Sequence, residues 1–178
     1  MRIVASGTHA SGKSTLISDF HAAHPEYLVL GDPVDDVERE MDDPAGEPSF
    51  VAQLRVSAMR LRQHADRRNL LAERSPLDFA AYLIALEALG RSPGALIPRA
   101  VELAAESLST VDLAVLVPLD ARHPIHVPSD EDPELREAMD LALLELADDI
   151  EHDVASRFLM VAGDRAARLR SVQEAIGR

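Results

Sequence analysis

The chain has no cysteine and no tryptophan, two tyrosines, four phenylalanines, and a single lysine beside 17 arginines in 178 residues. Without cysteine, disulfides and thiolate metal sites are excluded, and a reduced cytoplasm is the expected setting. Long uninterrupted apolar stretches are missing, and the chain opens directly on an apolar run with no charged leader, so neither export nor membrane spanning is expected. Positive charge is scarce: 18 Lys and Arg stand against 31 Asp and Glu, for a formal net charge of −13. Such a surface repels a phosphate backbone, so nucleic acid is not an expected partner, although a small polyanion can bind at a local positive site. The length suits one domain with a sizeable core.

Five short apolar runs are present: RIVAS (Arg2–Ser6), YLVL (Tyr27–Leu30), NLLA (Asn69–Ala72), LAVLV (Leu113–Val117) and RFLMV (Arg157–Val161). They lack the alternation of a half-wet strand and read as buried parallel strands. Segments with helical spacing lie between them, such as Phe79, Tyr82, Leu83 and Leu86 after the third run and Leu135, Met139, Leu143, Leu146 and Ile150 after the fourth. This is the βαβ rhythm of a doubly wound sheet. The acidic stretch Gly31–Ser49, with three prolines and two glycines, reads as a long loop with a short helix near Val34–Met41. Long loops inside compact domains are usually functional.

The place of the one lysine is informative. GTHASGKS, Gly7–Ser14, fits G-x-x-x-x-G-K-[ST] and lies between the first strand and a helix carrying Leu16, Ile17 and Phe20. In this motif backbone N–H groups close around a phosphate, the helix N-terminus adds partial positive charge, the lysine reaches the β- and γ-phosphates, and the serine hydroxyl meets Mg²⁺. A compact ammonium follows a moving phosphoryl group better than a planar guanidinium, which accounts for a lysine here in an arginine-rich chain. Gly7, His9, Ala10, Ser11, Gly12, Lys13, Ser14 and Thr15 are therefore the expected contacts to ATP. The guanine-reading N-K-x-D motif needs a second lysine, which excludes the usual GTPases. The chain also lacks an L-S-G-G signature and is short for a ring ATPase, which leaves small-molecule kinases.

NLLAERSPLDFAAYLIAL, from Asn69, resembles the nucleoside and nucleotide kinases of the P-loop class. The likeness is to deoxynucleoside kinases, with their E-R-S motif, and to ribosylnicotinamide-kinase-like AAA-type ATPases, with related D/E-R-S-P-L-D segments. The resemblance implies that Glu73 helps hold Mg²⁺ and that Arg74 contacts the acceptor's reacting end or the phosphates. The residues also spell a helix start, with Ser75 as N-cap, Pro76 first and Asp78 third. Capping does not account for Glu73, an ionisable residue at the carboxyl end of a buried strand, where open α/β sheets bind ligands.

VLGDPVDD, from Val29, resembles the E-P-V after the second strand of deoxynucleoside kinases, which implies Asp32 as the base for the acceptor hydroxyl, with Asp35 or Asp36 as substitutes. Gly-Asp-Pro is also an ordinary turn sequence. FVAQLRVSAMRLRQHADRR (Phe50–Arg68) reads as a helix, and the resemblance puts Phe50, Gln53 and Arg60 at the acceptor, although Gln53 reads equally as a solvated position. PLDARHPIHVPSDEDPELREAMD (Pro118–Asp140) lies where such kinases keep a lid, at about residues 120–133. A lid brings arginines onto the transferring phosphoryl group. Only Arg122 and Arg136 are available, with Asp130, Glu131 and Asp132 between them, and Asp132–Pro133 also reads as a helix start. His123 and His126 read as loop residues, having no matching ligand spacing. In the last segment Asp164 can cap a helix packed through Leu169, Val172 and Ile176. The resemblance makes Gly163, Asp164 and Arg165 the adenine contacts, and Arg168 reads as well as a solvated face.

The expectation is one domain over residues 1–178, a three-layer α/β/α P-loop fold with a five-stranded parallel sheet ordered 2-3-1-4-5, using ATP and Mg²⁺. Its reaction is phosphoryl transfer to a hydroxyl or phosphate of a nucleoside, nucleotide or related metabolite. Lys13, Asp32, Arg74, Arg122 and Arg136 are the catalytic set, Phe50 and Gln53 join Asp32 and Arg74 at the acceptor, and Ser14 and Glu73 hold the metal. A cytoplasmic protein with a small-molecule acceptor is expected, with no nucleic acid or membrane partner and a homodimer allowed for. The alternative is a regulator that hydrolyses ATP slowly and signals through its acidic lid to a protein.

Overall fold

The structure, a computed structural model, describes residues 1–37, 46–123, 125–127 and 131–177. Asp130 and the Met41 end of the expected short helix lie outside the described residues. In chain order the elements are β1 (Arg2–Ser6), α1 (Lys13–Ala23), β2 (Leu28–Leu30), a 3-10 turn (Pro33–Asp36), α2 (Glu47–Gln63), β3 (Leu70–Glu73) and α3 (Pro76–Ala88). They continue with α4 (Ile97–Leu108), β4 (Leu113–Leu116), α5 (Pro133–Ile150), β5 (Arg157–Met160) and α6 (Arg165–Ile176). All strand pairs are parallel, in the order β2-β3-β1-β4-β5, with Ile3 of β1 level with Leu71 and Leu113. The expected sheet order is the observed one.

Successive strand residues feed opposite layers. Ile3, Ala5, Leu71, Leu113 and Val115 pack with Leu16, Ile17 and Phe20 of α1 and Val172 of α6. Val4, Leu70, Ala72, Ala114 and Leu116 pack with Phe50 and Leu54 of α2, Phe79 and Leu83 of α3, Ala104 of α4, and Met139 and Leu143 of α5. Both faces are dry, which is why these strands show apolar runs instead of alternation; each fully buried Leu, Ile or Phe is worth about 1.5–3 kcal/mol.

Burial of all five strands holds only for the inner three. Leu28 of β2 is 38% exposed and Met160 of β5 is 58% exposed, because each is an end strand with a neighbour on one flank alone. Helix α4 was not anticipated from the sequence. It buries Ala100, Ala104, Ser107 and Leu108, with Ile97, Val101 and Leu103 partly buried beside them, an amphipathic pattern that was present in the sequence. Helix α2 begins at Glu47 with Pro48 in its first turn and ends at Gln63, several residues before the expected Arg68. The short helix near Val34 is the 3-10 turn, which Asp32 caps by accepting from the Val34 N–H at 3.1 Å.

Arg2 fixes where β1 lies. Its guanidinium donates to the carbonyls of Leu61 at 2.8 Å and Thr110 at 2.6 Å, and also to that of His64, closing the end of α2 where helix carbonyls lack partners. Its own N–H donates to Asp112 Oδ2 at 2.6 Å. The loop after β1 therefore leaves from a pinned strand. Among the described residues no helix is long and apolar enough to cross a membrane.

Candidate active site

β1 runs into the loop 7–12 at the carboxyl edge of the sheet. A Cβ on Gly7 would stand 2.5 Å from the Val117 carbonyl oxygen, so only glycine lets the loop pass the end of β4. Ala10 (φ 50°) and Gly12 (φ 99°) are left-handed, which turns the loop back over the start of α1. No side chain caps α1, so its leading N–H groups and positive end are open. Thr8 Oγ1 and Ser11 Oγ are buried without a hydrogen-bond partner. Orphaned hydroxyls and an uncapped helix start fit a phosphate, whose oxygens accept from many donors. Lys13 is buried and donates to the Thr8 carbonyl at 2.7 Å. Burial, with the positive Arg74 nearby, pushes its ammonium down to about 7.

β3 ends beside this loop. Glu73 Oε1 accepts from the Ser14 hydroxyl at 2.6 Å, placing two hard oxygen donors at the mouth of the loop. Arg74 follows with φ 62°, a conformation unusual for a non-glycine residue and frequent at functional sites. Its Nε donates to Asp32 Oδ2 at 2.8 Å, and its guanidinium stands 5.5 Å from the Tyr82 ring centroid. Its Nη1 is buried with no hydrogen bond, 4.0 Å from Asp78 Oδ1. Ser75 and Asp78 form the expected capping box of α3. The fully buried Asp78 does more, since Oδ2 accepts from the Ser75 N–H at 2.8 Å while Oδ1 accepts from the Gly7 N–H at 2.8 Å. One carboxylate thus joins the β3–α3 corner to the phosphate loop.

Among the described residues three cavities border the loop, and two of them, on opposite sides of it, gather the expected site residues. One, of about 360 Å³, is bounded by Asp32, Phe50, Gln53, Arg74 and Tyr82 on one side and by His9, Glu131, Asp132, Leu135 and Arg136 on the other. Phe50 and Tyr82 stack there at 4.2 Å. Gln53 is buried, donating to Ser49 Oγ at 3.1 Å, so it is not a solvated position. Arg60 borders a much smaller space beside Glu73 and Arg74. Asp35 is exposed, and the side chain of Asp36 lies outside those described. The second cavity, of about 430 Å³, brings Gly163, Asp164 and Arg165 together with Gly12, Thr15, His123 and Arg168. Asp164 caps α6 through the Ala167 N–H at 2.8 Å, and Arg165 Nε donates to Asp19 Oδ2 on α1 at 2.5 Å.

Of the two expected lid arginines, Arg136 reaches the loop, where Nε donates to the His9 carbonyl at 2.9 Å and Nη2 to the Ala10 carbonyl at 3.3 Å. Arg122 is exposed and bonded through its backbone N–H, to Asp120 Oδ1 at 2.9 Å. Glu131 and Asp132, described acids of the expected lid, border the 360 Å³ cavity, and each already has a partner. Glu131 Oε1 lies 3.0 Å from His9 Nε2, and Asp132 caps α5 through the Leu135 N–H while pairing with Arg91. His123 Nδ1 is 2.9 Å from Asp120 Oδ2, which also accepts from the Gly163 N–H at 3.2 Å. The His123 bond, with those from the backbone, holds the Asp120 carboxyl down to about 2. His126 is exposed, and among the described residues no three His, Cys, Asp or Glu side chains gather as a metal cage.

Arg168, for which the sequence leaves a solvated face open, is buried at the 430 Å³ cavity instead. It is 5% exposed, with Nε donating to the Gly163 carbonyl at 2.9 Å and Nη1 to the Ser11 carbonyl at 2.6 Å. The signal was its i, i+4 spacing to the buried Val172.

A family model described as an AAA domain matches residues 2–168. No curated protein matches the sequence. Among solved structures, deoxyadenosine kinase from M. mycoides with bound dATP superposes with a TM-score of 0.76 at 13% identity, covering 100% of both chains. Thymidylate kinase from Candida albicans gives 0.68 at 17% identity, over 98% of this chain and 90% of that one. Thymidylate kinase from Ehrlichia chaffeensis gives 0.65 at 12%, over 100% and 98%. These likenesses show a shared fold.

Proposed function

The chain belongs to the AAA domain family, and from that premise and the site's geometry we propose that it is a Mg·ATP-dependent small-molecule kinase. The acceptor is a hydroxyl or phosphate of a nucleoside, nucleotide or related metabolite. The observation that carries this reading is the pair of cavities on either side of one phosphate loop. A plain hydrolase needs only the 430 Å³ cavity beside Gly163. The 360 Å³ cavity, walled by the Asp32–Arg74 pair and the stacked Phe50 and Tyr82, is a place for a second substrate. The fold shared with a deoxyadenosine kinase and two thymidylate kinases supports the same reading.

In this reading the loop N–H groups from Gly7 to Thr15 take the donor phosphates, while Gly163, Asp164 and Arg165 border its base. Lys13 leaves the Thr8 carbonyl for the β- and γ-oxygens. Ser14 and Glu73 hold Mg²⁺, which when bound neutralises charge developing on the transferring group. The unpartnered Arg74 Nη1 receives the acceptor oxygen. Asp32 takes the acceptor's proton, since a carboxylate serving Arg74 and Val34 keeps lone pairs free. Phe50 and Gln53 flank the acceptor. Residues of about 120–133 form the lid of a single domain; its closure delivers Arg122, and Arg136 steadies the loop. The protein works in the cytoplasm on small molecules, alone or as a homodimer, without nucleic acid or membrane.

The test is ADP formation from Mg·ATP across a panel of nucleosides, nucleoside monophosphates, ribosylnicotinamide and cationic amino sugars. One of the first three classes should raise ADP release well above the acceptor-free rate, because a kinase holds back hydrolysis until its acceptor excludes water. A steady rate that only a protein partner changes would replace the kinase by a regulatory NTPase.

A further inference from the structure

We propose that Arg168 is a donor-binding residue, which straps the phosphate loop to the base-side loop and turns its remaining N–H bonds toward the donor's phosphates. The proposal deepens the kinase reading and rests on it.

The first argument is geometric. The two carbonyls that Arg168 holds belong to different walls of the donor cavity, Gly163 to the loop after β5 and Ser11 to the phosphate loop. One planar guanidinium sets the spacing between them, which a single-nitrogen ammonium cannot do. Its Nη1 lies 2.7 Å from where a Cβ on Gly12 would stand, so the group rests against the loop where the backbone is barest. Arg168 borders both the 430 Å³ cavity and a neighbouring one of about 330 Å³ along Ala10 and Ser11. It therefore lies between the base side and the phosphate loop.

The second argument is electrostatic. Arg74 is paired with Asp32, Arg165 with Asp19, and Arg91 with Asp132 and Glu134. Arg168 is among the buried polar and charged residues, and among the described residues no carboxylate lies within ion-pair distance of it. Its side-chain bonds to described residues are those of Nε and Nη1, to two carbonyls. A buried charge held by carbonyl dipoles alone is incompletely compensated, and a polyanion entering the cavity completes it. Charge-assisted bonds from guanidinium to phosphate are among the strongest such contacts.

The experiment measures binding of a fluorescent ATP analogue, and its displacement by ATP and by adenosine, for wild type, R168Q, R168K and R170Q. Arg170 is exposed on the same helix and controls for lost surface charge. The proposal expects R168Q to weaken ATP by about tenfold or more while adenosine changes by less than about twofold. R168K should fall between, keeping the charge but losing the strap, and R170Q should match wild type. Equal weakening of ATP and adenosine, or no change in either, overturns the proposal, since a residue that only supports the base-side wall would affect both ligands alike. If R168Q does not fold, R168K decides by the same comparison. A wild-type protein that binds no ATP at all instead overturns the kinase reading itself.

Discussion

Ser14 donates its hydroxyl proton to Glu73 across 2.6 Å, joining the residue after the loop's only lysine to a strand end 59 positions away. The pair places two oxygen donors together, and in the proposed reading a cation held by them would complete its shell with phosphate oxygens and water.

Glu73→Gln tests that sharing. The amide still accepts from Ser14 but carries no charge, so half-maximal ADP formation should need roughly tenfold more Mg²⁺, on the scale of losing one charged interaction. Mg²⁺ titrations that superpose for variant and wild type would show that Glu73 does not hold the metal.

Lys13 gives a prediction in pH. With its ammonium pushed down to about 7, the unfolded chain binds more protons than the folded one from there up to the ordinary value of 10.5. Ligand-free stability should therefore gain from this group as pH rises through that window. ATP binding needs the charged form, so it should take up a proton and weaken by up to about tenfold per unit between about pH 7.5 and 9. Calorimetry in buffers of different ionisation heat reads both. Binding independent of pH contradicts a lysine that is recharged by its ligand. Lys13→Arg, with a bulkier and differently directed cation, should lose nearly all turnover.

These residues were legible in the sequence for a physical reason. Gly7–Ser14 and Glu73–Asp78 are local, each a strand end turning into a helix, so spacing alone reports their geometry. The Ser75–Asp78 cap is readable in the same way, whereas the sheet order, a tertiary property, is legible only through the P-loop reading as a whole. Arg168 and Arg136 were harder because long guanidinium stems cross between elements, and their partners, the carbonyls of Ser11, His9 and Ala10, have no letter in a sequence. For Gln53 the sequence leaves an acceptor position and a solvated one side by side, because a single polar letter on an amphipathic helix carries no sign of the cavity that buries it. The open flanks of β2 and β5 depend on the sheet's ends, a tertiary property.

Asp32→Asn separates chemistry from binding. The amide can still accept from Arg74 Nε yet is a poor proton acceptor, so kcat should fall by roughly 10² or more while Mg·ATP affinity stays within about twofold. Loss of ATP affinity in step with kcat would assign Asp32 to the donor side instead.

Asp78→Ala should be the most destabilising of these changes. It strips partners from the buried N–H groups of Gly7 and Ser75 and removes the carboxylate beside Arg74, a cost on the order of 3 kcal/mol or more. Urea unfolding reads it directly. A variant within about 0.5 kcal/mol of wild type, the range of ordinary surface changes, would show that the carboxylate does not hold the corner.

The central claim is that one loop serves two substrates, and the fate of a labelled γ-phosphate tests it most directly. Wild type is incubated with γ-labelled Mg·ATP and each member of the acceptor panel, and the label is followed into acceptor and into inorganic phosphate. The account predicts label on a nucleoside, a nucleotide or ribosylnicotinamide, with little free phosphate when no acceptor is present, and loss of that transfer in Asp32→Asn. Label that appears only as inorganic phosphate, at a rate no small acceptor alters, would contradict it.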